Sequence, residues 1–171
     1  MNQNEILSIL SSVNAIIADS HIVYTSGKHG SSYVNKDALY PHTDYTSLLC
    51  KEMAEHFAKH SIDTVVAPAV GGVILSQWLA HHLSTIQGKK VFGVYAEKNN
   101  DAFIIKRGYD HYIKNKNILV VEDILTTGGS VKKVIDEVKK LSGNIIGVAC
   151  LCNRGGISTK DLGNVPELFS L

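Results

Sequence analysis

Residues 118–130 read ILVVEDILTTGGS, and this stretch decides the fold. Its four leading apolar residues, Ile118 to Val121, predict a strand that is buried on both faces, as in a parallel sheet. Two acids, Glu122 and Asp123, follow at the carboxyl end of that strand. The chain then passes through threonine, glycine and serine into a helical pattern. The stretch therefore predicts a strand, a tight polar turn and a helix in direct succession.

The alternation of strands and helices extends on both sides of this stretch. Helical patterns lie at 43–60 and 71–83, and strand patterns lie at 63–70, 89–97 and 144–154. Strands separated by helices imply right-handed crossovers, so we predict an α/β fold with a twisted, mostly parallel sheet flanked by helices. Such sheets bind ligands at the carboxyl ends of their strands. The expected ligand loops are 68–72, 95–110 and 122–130.

The N-terminal part has a different pattern. Apolar residues at helical spacing predict an amphipathic helix over 4–17 with Asn4 as its N-cap. A Ser-, Gly- and Tyr-rich segment at about 18–42 predicts short extended pieces and turns, ahead of a core at about 43–153. We expect a single domain over 1–171, because no repeat, low-complexity tract or linker divides the chain.

Composition excludes several classes of protein. The 171 residues are 44% hydrophobic and 19% charged, which is typical of a soluble domain with a substantial core. Seventeen basic and sixteen acidic residues leave a net charge of +1, so neither a nucleic acid nor a membrane is indicated as a partner. Three cysteines are too few for a disulfide framework, and the N-terminus lacks the pattern of a signal peptide. We therefore predict a cytoplasmic protein.

The turn at 126–130 has the composition of a phosphate-binding loop. Glycines let the backbone approach an anion, and a helix N-terminus adds positive potential. We expect Gly129 to have the tight or left-handed backbone that only glycine adopts easily. No lysine follows the glycines, and the spacing G-x-G-x-x-G is missing, so neither a Walker A loop nor a dinucleotide site is indicated.

The neighbouring acids narrow the choice of ligand. One alternative is that Thr127 or Ser130 merely caps the helix and that Glu122 and Asp123 face solvent. If the turn does bind phosphate, two carboxylates beside it would repel the ligand unless they accept hydrogen bonds from hydroxyl groups. A sugar phosphate carries both kinds of group.

The run ILVVEDILTTGGS resembles the motif of the type I phosphoribosyltransferases, and within that family the orotate phosphoribosyltransferases. Their motif binds 5-phosphoribosyl-1-diphosphate, called PRPP below. The stretches APAVGG at 67–72 and TSGKHGSSYVNKDA at 25–38 resemble two further family motifs. The resemblance implies a magnesium-dependent transferase that joins a nucleobase, orotate first, to PRPP and releases pyrophosphate. It also implies a role in pyrimidine nucleotide biosynthesis, a homodimer, and a small N-terminal hood over the base.

The resemblance also assigns roles to individual residues. Glu122 and Asp123 would hold the ribose hydroxyls, with Asp123 counted as catalytic. The 5-phosphate would be held by Thr126, Thr127, Gly128, Gly129 and Ser130. Pyrophosphate would be bound by Val70, Gly71 and Gly72, and the base would be contacted by Thr25, Ser26, Gly27 and Tyr33. Lys98, on the mobile loop after the second core strand, would be catalytic, and Mg²⁺ would be held through PRPP rather than directly by the protein.

Some positions depart from the orotate pattern. Bacterial orotate enzymes often carry a lysine at the position of Thr25 and another at the position of Gly71, and the catalytic loop EKNNDAFIIKRG has fewer basic residues than is typical. Two alternatives therefore stay open. One is a transferase for a purine or another base, and the other is a non-catalytic regulator that binds PRPP or a nucleotide.

Two further patterns are weaker indications of function. His56 and His60 are four apart and could ligate zinc, but the sequence offers no third ligand, so surface histidines are the simpler interpretation. Cys150 and Cys152 share one face of an apolar strand, where packing is the commoner role of cysteine.

Overall fold

The computed structural model describes residues 1–23, 27, 29–31 and 33–171. Its helices are α1 (Gln3–Ser12), α2 (Lys36–Leu39), α3 (Thr43–His56), α4 (Val73–Gln87) and α5 (Gly129–Lys140). Short 3-10 helices follow at Phe57–Lys59 and Tyr109–Tyr112. The strands are β1 (Ile16–Ile17), β2 (Ile22–Val23), β3 (His29–Gly30), β4 (Tyr33–Val34), β5 (Thr64–Pro68), β6 (Phe92–Asn99), β7 (Ala102–Ile104), β8 (Asn117–Leu125), β9 (Asn144–Asn153) and β10 (Leu168–Ser170).

The chain forms two compact units, Met1–Thr46 and Ser47–Leu171. In the N-terminal unit, β1 pairs with β4 and β2 pairs with β3, both antiparallel. The C-terminal unit contains a six-stranded sheet in the order β10-β9-β8-β5-β6-β7. All neighbours in this sheet are parallel except β6 and β7. The predicted α/β fold with a mostly parallel sheet flanked by helices is confirmed.

The centre of the sheet is the most apolar part of the molecule. Every residue of β5 is buried, and β8 is buried from Ile118 through Asp123. Runs of β-branched residues suit strands that are covered on both faces. The helix α5 buries Val131, Val134, Ile135 and Val138, which recur at the spacing of one helical face. Because β5 and β8 are buried along their length, the polar residues at their carboxyl ends have fixed positions at the edge of the sheet.

The first helix differs from the prediction over 4–17. It begins after Asn2, whose side chain accepts a hydrogen bond from Glu5 N while the Glu5 carboxylate accepts one from Asn2 N. This capping box makes Asn2 the N-cap rather than Asn4. The helix ends at Ser12, Asn14 takes a left-handed φ of 54°, and Ile16 and Ile17 form β1. The prediction extended the helical periodicity through a turn.

The prediction of a loop over 95–110 is also wrong in part. Strand β6 continues to Asn99, and β7 returns antiparallel to it, so that Lys98 lies opposite Phe103. Asn100 turns the chain with a left-handed φ of 53°. An Asn-Asp pair between two strand-forming runs is a hairpin signal, and a salt bridge between Arg107 and Glu97 adds a contact beside it. Lys98 therefore lies inside a strand.

The two histidines of α3 and the following turn have a structural partner. His56 and His60 both donate hydrogen bonds to the carboxylate of Glu167, the residue before β10. Glu167 comes from the far end of the chain, so no local pattern indicates this contact. Over the described ranges, no group of three or more His, Cys, Asp or Glu side chains is arranged to hold a metal ion. Among the helices of those same ranges, none is long and apolar enough to cross a membrane.

Candidate active site

The acid pair lies at the carboxyl end of the central strand. Glu122 and Asp123 are each only 8% exposed, and both belong to β8, which continues to Leu125. Glu122 Oε1 accepts a hydrogen bond from Asp123 N at 3.0 Å, and Asp123 Oδ1 accepts one from Ile124 N at 2.6 Å. Buried carboxylates are costly unless they have hydrogen-bond partners. The pair is therefore held in place by the backbone, and the alternative in which both acids face solvent is excluded.

The turn after β8 forms a small pocket beside Glu122. The pocket is lined by Glu122, Ile124, Leu125, Thr126, Thr127, Gly128, Gly129, Ser130 and Val131. Backbone amides at the start of α5 have no carbonyl partner one turn back, so the N-terminus of this 12-residue helix attracts anions. The predicted turn residues are thus brought together around one space that a phosphate could enter.

The left-handed residue in this turn is Gly128, not Gly129. Gly128 has φ of 71°, whereas Gly129 is the first residue of α5. A Cβ on Gly128 would also lie 2.8 Å from Leu162 Cδ2, which is closer than carbon atoms normally approach. The expectation for Gly129 is wrong because the reversal of the chain precedes the helix by one residue. Position 128 therefore needs glycine for two reasons: its backbone is left-handed, and there is no space for a Cβ.

The predicted pyrophosphate loop lies next to the acid strand. Val70, Gly71 and Gly72 connect β5 to α4, and β5 is a direct neighbour of β8. A Cβ on Gly72 would be 2.7 Å from Ala67 Cβ and 3.2 Å from the Val121 carbonyl oxygen. Val70 is 86% exposed, and the peptide bond between Ala69 and Val70 is cis. This loop and the acid pair therefore occupy the same edge of the sheet.

The other predicted residues lie on other elements of the chain. Lys98 is exposed near the end of β6, the strand next to β5. Gly27 and Tyr33 belong to the N-terminal unit, where Gly27 has a left-handed φ of 75° and Tyr33 lies in β4. Thr25 and Ser26 lie outside the described residues.

Arg154 is a cation at the carboxyl end of β9 that the sequence patterns did not indicate. Arg154 follows the last residue of β9, and Asn153 lies opposite Leu125 in the pairing of β9 with β8. Burial raises the pKa of the Cys152 thiol, and the positive charge of Arg154 partly opposes this rise. An arginine at the carboxyl end of a predicted parallel strand is a signal that could have been used, because ligands bind at that edge of the sheet.

The cysteines behind the acid pair are packing residues. Cys150 lies opposite Glu122 in the β9–β8 pairing and is fully buried. Burial raises the pKa of Cys150 to about 12, and the charges of Cys152, Glu122 and Asp123 act in the same direction. A thiol with so high a pKa is not a nucleophile at neutral pH.

A parallel sheet with acids and a glycine turn at the end of its central strand is the framework of a sugar-phosphate transferase. Residues 43–170 match the phosphoribosyl transferase domain, and the chain belongs to this family. The family predicted from the motif ILVVEDILTTGGS is thereby confirmed.

Two relatives illustrate the sequence similarity. The orotate phosphoribosyltransferase of Thermoanaerobacter sp. (strain X514) is 38% identical over 154 residues, which cover 90% of this chain and 77% of the relative. The orotate phosphoribosyltransferase of Pelotomaculum thermopropionicum is 36% identical over 163 residues, which cover 95% of this chain and 81% of the relative.

Two solved structures illustrate the similarity of the fold. Orotate phosphoribosyltransferase from Aeropyrum pernix superposes with a TM-score of 0.76 at 22% identity, over 95% of this chain and 90% of that one. Adenine phosphoribosyltransferase from Saccharomyces cerevisiae has a TM-score of 0.68 at 17% identity, over 96% of this chain and 98% of that one. The fold is therefore common to enzymes named for different bases.

Proposed function

We propose that this chain is an orotate phosphoribosyltransferase that acts in pyrimidine nucleotide biosynthesis. The observation that carries the proposal is the buried acid pair of β8, which is followed within five residues by the left-handed Gly128 at the start of α5. Relatives that bear this enzyme name and share 32–38% identity with most of the chain support the choice of base. In the proposed reaction a ring nitrogen of the base gives up its proton and bonds to C1 of PRPP, while the bond from C1 to pyrophosphate breaks and pyrophosphate leaves.

We assign the ribose and its 5-phosphate to the end of β8. Carboxylates of Glu122 and Asp123 accept hydrogen bonds from the ribose hydroxyls, and such bonds to a charged acceptor are stronger than neutral ones. Amides and hydroxyls of Thr126, Thr127, Gly128, Gly129 and Ser130 bind the 5-phosphate. Holding both ends of the ribose phosphate fixes the direction in which C1 faces the base.

We assign pyrophosphate to Val70, Gly71 and Gly72, whose backbone lies beside the end of β8. Negative charge grows on pyrophosphate as the bond to C1 breaks, while positive charge grows on the ribose. Backbone N–H groups fixed in advance stabilise such growing charge without reorganisation. Lys98, exposed on the neighbouring strand β6, supplies a cation to the same leaving group.

Magnesium fits this donor set as a partner of the substrate. Mg²⁺ prefers oxygen ligands and is commonly bound by substrate phosphates with one or two carboxylates and water. Glu122 and Asp123 offer carboxylate oxygens at the sugar end of the site. When bound, the ion neutralises part of the pyrophosphate charge. The protein residues retain the tasks of orienting the ribose and holding both phosphate groups.

The base requires a partner for the carboxylate of orotate. Arg154 is a cation at the ligand edge of the sheet, and a guanidinium can bind a carboxylate with two parallel hydrogen bonds. We assign the orotate carboxylate to Arg154. The assignment of Thr25, Ser26, Gly27 and Tyr33 to the base rests on their resemblance to the family motif alone.

The proposal includes a homodimer and a cytoplasmic location. The homodimer rests on analogy with the family. The free thiols of Cys50, Cys150 and Cys152 support a reducing compartment. We also retain the single-domain description, with the hood at about 18–42 belonging to the same catalytic domain.

A pyrophosphate-release assay with a panel of bases tests the proposed function. Orotate, uracil, adenine, hypoxanthine and xanthine would each be supplied with PRPP, with and without Mg²⁺. We expect turnover that needs Mg²⁺ and favours orotate by at least tenfold, about 1.4 kcal/mol in transition-state binding. Asp123→Asn, assayed in parallel, controls for pyrophosphate released by other means.

The second candidate is a transferase for a purine, which the departures from the orotate pattern at Thr25 and Gly71 leave open. A tenfold preference for a neutral base would refute the orotate assignment and keep phosphoribosyl transfer. PRPP binding without turnover of any base would instead indicate a regulator.

A further inference from the structure

The turn that lines the pocket rests on a later part of the chain. Residues 153–162, called the brace below, follow β9 and return to the end of β8. Gly155 N donates a hydrogen bond to Leu125 O at 2.9 Å. A Cβ on Gly155 would lie 1.7 Å from Thr126 O and 2.6 Å from Thr126 C. The peptide group of Thr126 therefore lies directly on the Cα of Gly155, with no space for a side chain.

The brace also contacts the left-handed residue of the turn. Leu162 is fully buried, and its Cδ2 atom lies 2.8 Å from the position that a Cβ on Gly128 would occupy. Ile157 Cγ2 lies 3.4 Å from the same position. Two brace side chains thus pack against the Cα of Gly128, on a second side of the turn.

Two local hydrogen-bond sets fix the shape of the brace. Asn153 Nδ2 donates to Ile157 O at 2.8 Å, and Asn153 Oδ1 accepts from Ile157 N at 2.9 Å. Ser158 N and Ser158 Oγ both donate to Asp161 Oδ2, at 2.9 and 2.6 Å. The first set closes the segment on both sides of Gly155, so Asn153 determines where Gly155 can lie.

The turn itself is held less tightly by its own hydrogen bonds. The bond from Gly129 N to Thr127 Oγ1 is 3.4 Å long, beyond the usual range for an amide donor. Thr126 and Thr127 are exposed, and Gly128 is buried against the brace. The position of the turn therefore depends on packing against residues 155–162.

We propose that Asn153 and Gly155 are positioning residues for the 5-phosphate of PRPP. They act through the Thr126 peptide and need no contact with the ligand. This inference rests on the proposed function, because it takes the turn at 126–130 to be the phosphate site. Donors that bind a phosphate must be placed to within a fraction of an ångström, and displacement of about 1 Å can cost on the order of a hundredfold in rate.

The test compares Gly155→Ala and Asn153→Ala with matched controls. Gly156→Asn alters the adjacent glycine, which has a left-handed φ of 63° and open space around its Cα, and asparagine tolerates that conformation. Asn144→Ala removes an asparagine from the other end of β9. Calorimetric titration with PRPP would give dissociation constants, and steady-state kinetics would give KM for PRPP and for the base separately.

We expect Gly155→Ala to raise the dissociation constant for PRPP by about tenfold or more, and Asn153→Ala to raise it by a smaller factor. The thermal midpoint of Asn153→Ala should change little more than in the controls, whereas Gly155→Ala has to displace the Thr126 backbone and should also melt at a lower temperature. KM for the base reports separately on Arg154, which lies between the two altered residues. Asn153→Asp keeps the acceptor for Ile157 N and should restore part of the affinity.

The outcomes separate this inference from the proposed function. If the unchanged protein binds PRPP and Gly155→Ala binds it equally well, the positioning role is refuted and the proposed function stands. If Asn153→Ala loses PRPP affinity only together with a lowered thermal midpoint, and Asn153→Asp restores neither, the brace is merely structural and the role is also refuted. If the unchanged protein does not bind PRPP, the proposed function and this inference both fail.

Discussion

Glu167 and His56 are 111 positions apart in the chain, and their side chains meet at 2.7 Å. Glu167 also accepts hydrogen bonds from His60 at 2.9 Å and from Lys59 at 3.3 Å. Partial burial raises the pKa of Glu167, but the bonds from His60, His56 and Lys59 outweigh it and lower the pKa from 4.5 to about 2. The ionised carboxylate therefore ties the segment before β10 to the end of α3.

This contact predicts a pH dependence of stability. Because the pKa of Glu167 is lowered by folding, its contribution is complete above about pH 4.5 and is lost as the pH falls through about 2. Glu167→Gln should lower the free energy of unfolding at pH 7 by about 1 kcal/mol, after discounting for exposure to solvent. Thermal melts between pH 7 and pH 2 should show the two proteins converging in acid.

Glu55→Gln is the matched control for that experiment. Glu55 pairs with Lys51 on the surface of α3, and both side chains are about half exposed. Such pairs contribute little, so this variant should melt like the unchanged protein at pH 7. A constant difference between Glu167→Gln and the unchanged protein at every pH would contradict the assigned role of the carboxylate.

The phosphate turn should distinguish its two glycines. Gly128→Ala places a side chain on a left-handed residue and 2.8 Å from Leu162 Cδ2, whereas the same change at Gly129 meets only Thr127 Oγ1 at 3.4 Å. We expect Gly128→Ala to destabilise the protein by about 1–3 kcal/mol and Gly129→Ala by much less. Urea unfolding of both variants measures this difference, and equal losses would show that the turn adopts another conformation.

The acid pair should be required for PRPP binding. Asp123→Asn keeps the size of the side chain and removes its charge, so it should weaken binding by about 1.5–3 kcal/mol, the range for a hydrogen bond to a charged group. Calorimetric titration with PRPP would measure the loss. Asp136→Asn, on the exposed face of α5, is the control and should bind normally. Normal binding by a double variant, Glu122→Gln with Asp123→Asn, would exclude the ribose assignment.

Lys98 should affect turnover more than binding. Charge on the leaving pyrophosphate grows in the transition state, so Lys98→Ala should lower kcat by a larger factor than it raises KM for PRPP. Lys90→Ala, on an exposed lysine just before β6, controls for a general loss of positive charge. A change confined to KM would make Lys98 a binding residue.

Arg154 should determine the preference for an anionic base. Arg154→Ala should raise KM for orotate by about tenfold or more while the dissociation constant for PRPP stays within about twofold, because a charged hydrogen bond is lost only at the base. Arg154→Lys should recover part of the effect, since lysine keeps the charge without the paired donors. An equal loss with orotate and uracil would show that the arginine does not read the carboxylate.

The sequence predicted the parts of the fold that depend on local pattern. The apolar runs of β5 and β8 and the helical spacing of α5 are continuous in the chain, so each could be located without knowledge of its neighbours. Ile16 and Ile17 continue the spacing of α1, yet they pair with β4, because Asn14 reverses the chain. A single left-handed residue does not interrupt the helical spacing of apolar residues, because that spacing is judged over several turns.

The rest of the site depends on contacts between distant residues. The choice of Gly128 as the left-handed residue follows from packing against Leu162, and the partner of His56 and His60 comes from the last five residues. The hairpin that contains Lys98 was not predicted, because the end of β6 and all of β7 fall within the loop expected at 95–110. The acid pair was found because strand, acids and turn are adjacent in sequence.

The close approach of Gly155 to Thr126 limits how this turn could be reused in protein design. A chimera that received only residues 118–130 would carry the recognisable motif without the backbone on which Thr126 rests. We expect phosphate affinity to transfer only when β8, α5, β9 and residues 153–162 move together. The smallest exchangeable module, residues 117–162, is therefore about three and a half times as long as the signature at 118–130 by which such enzymes are detected.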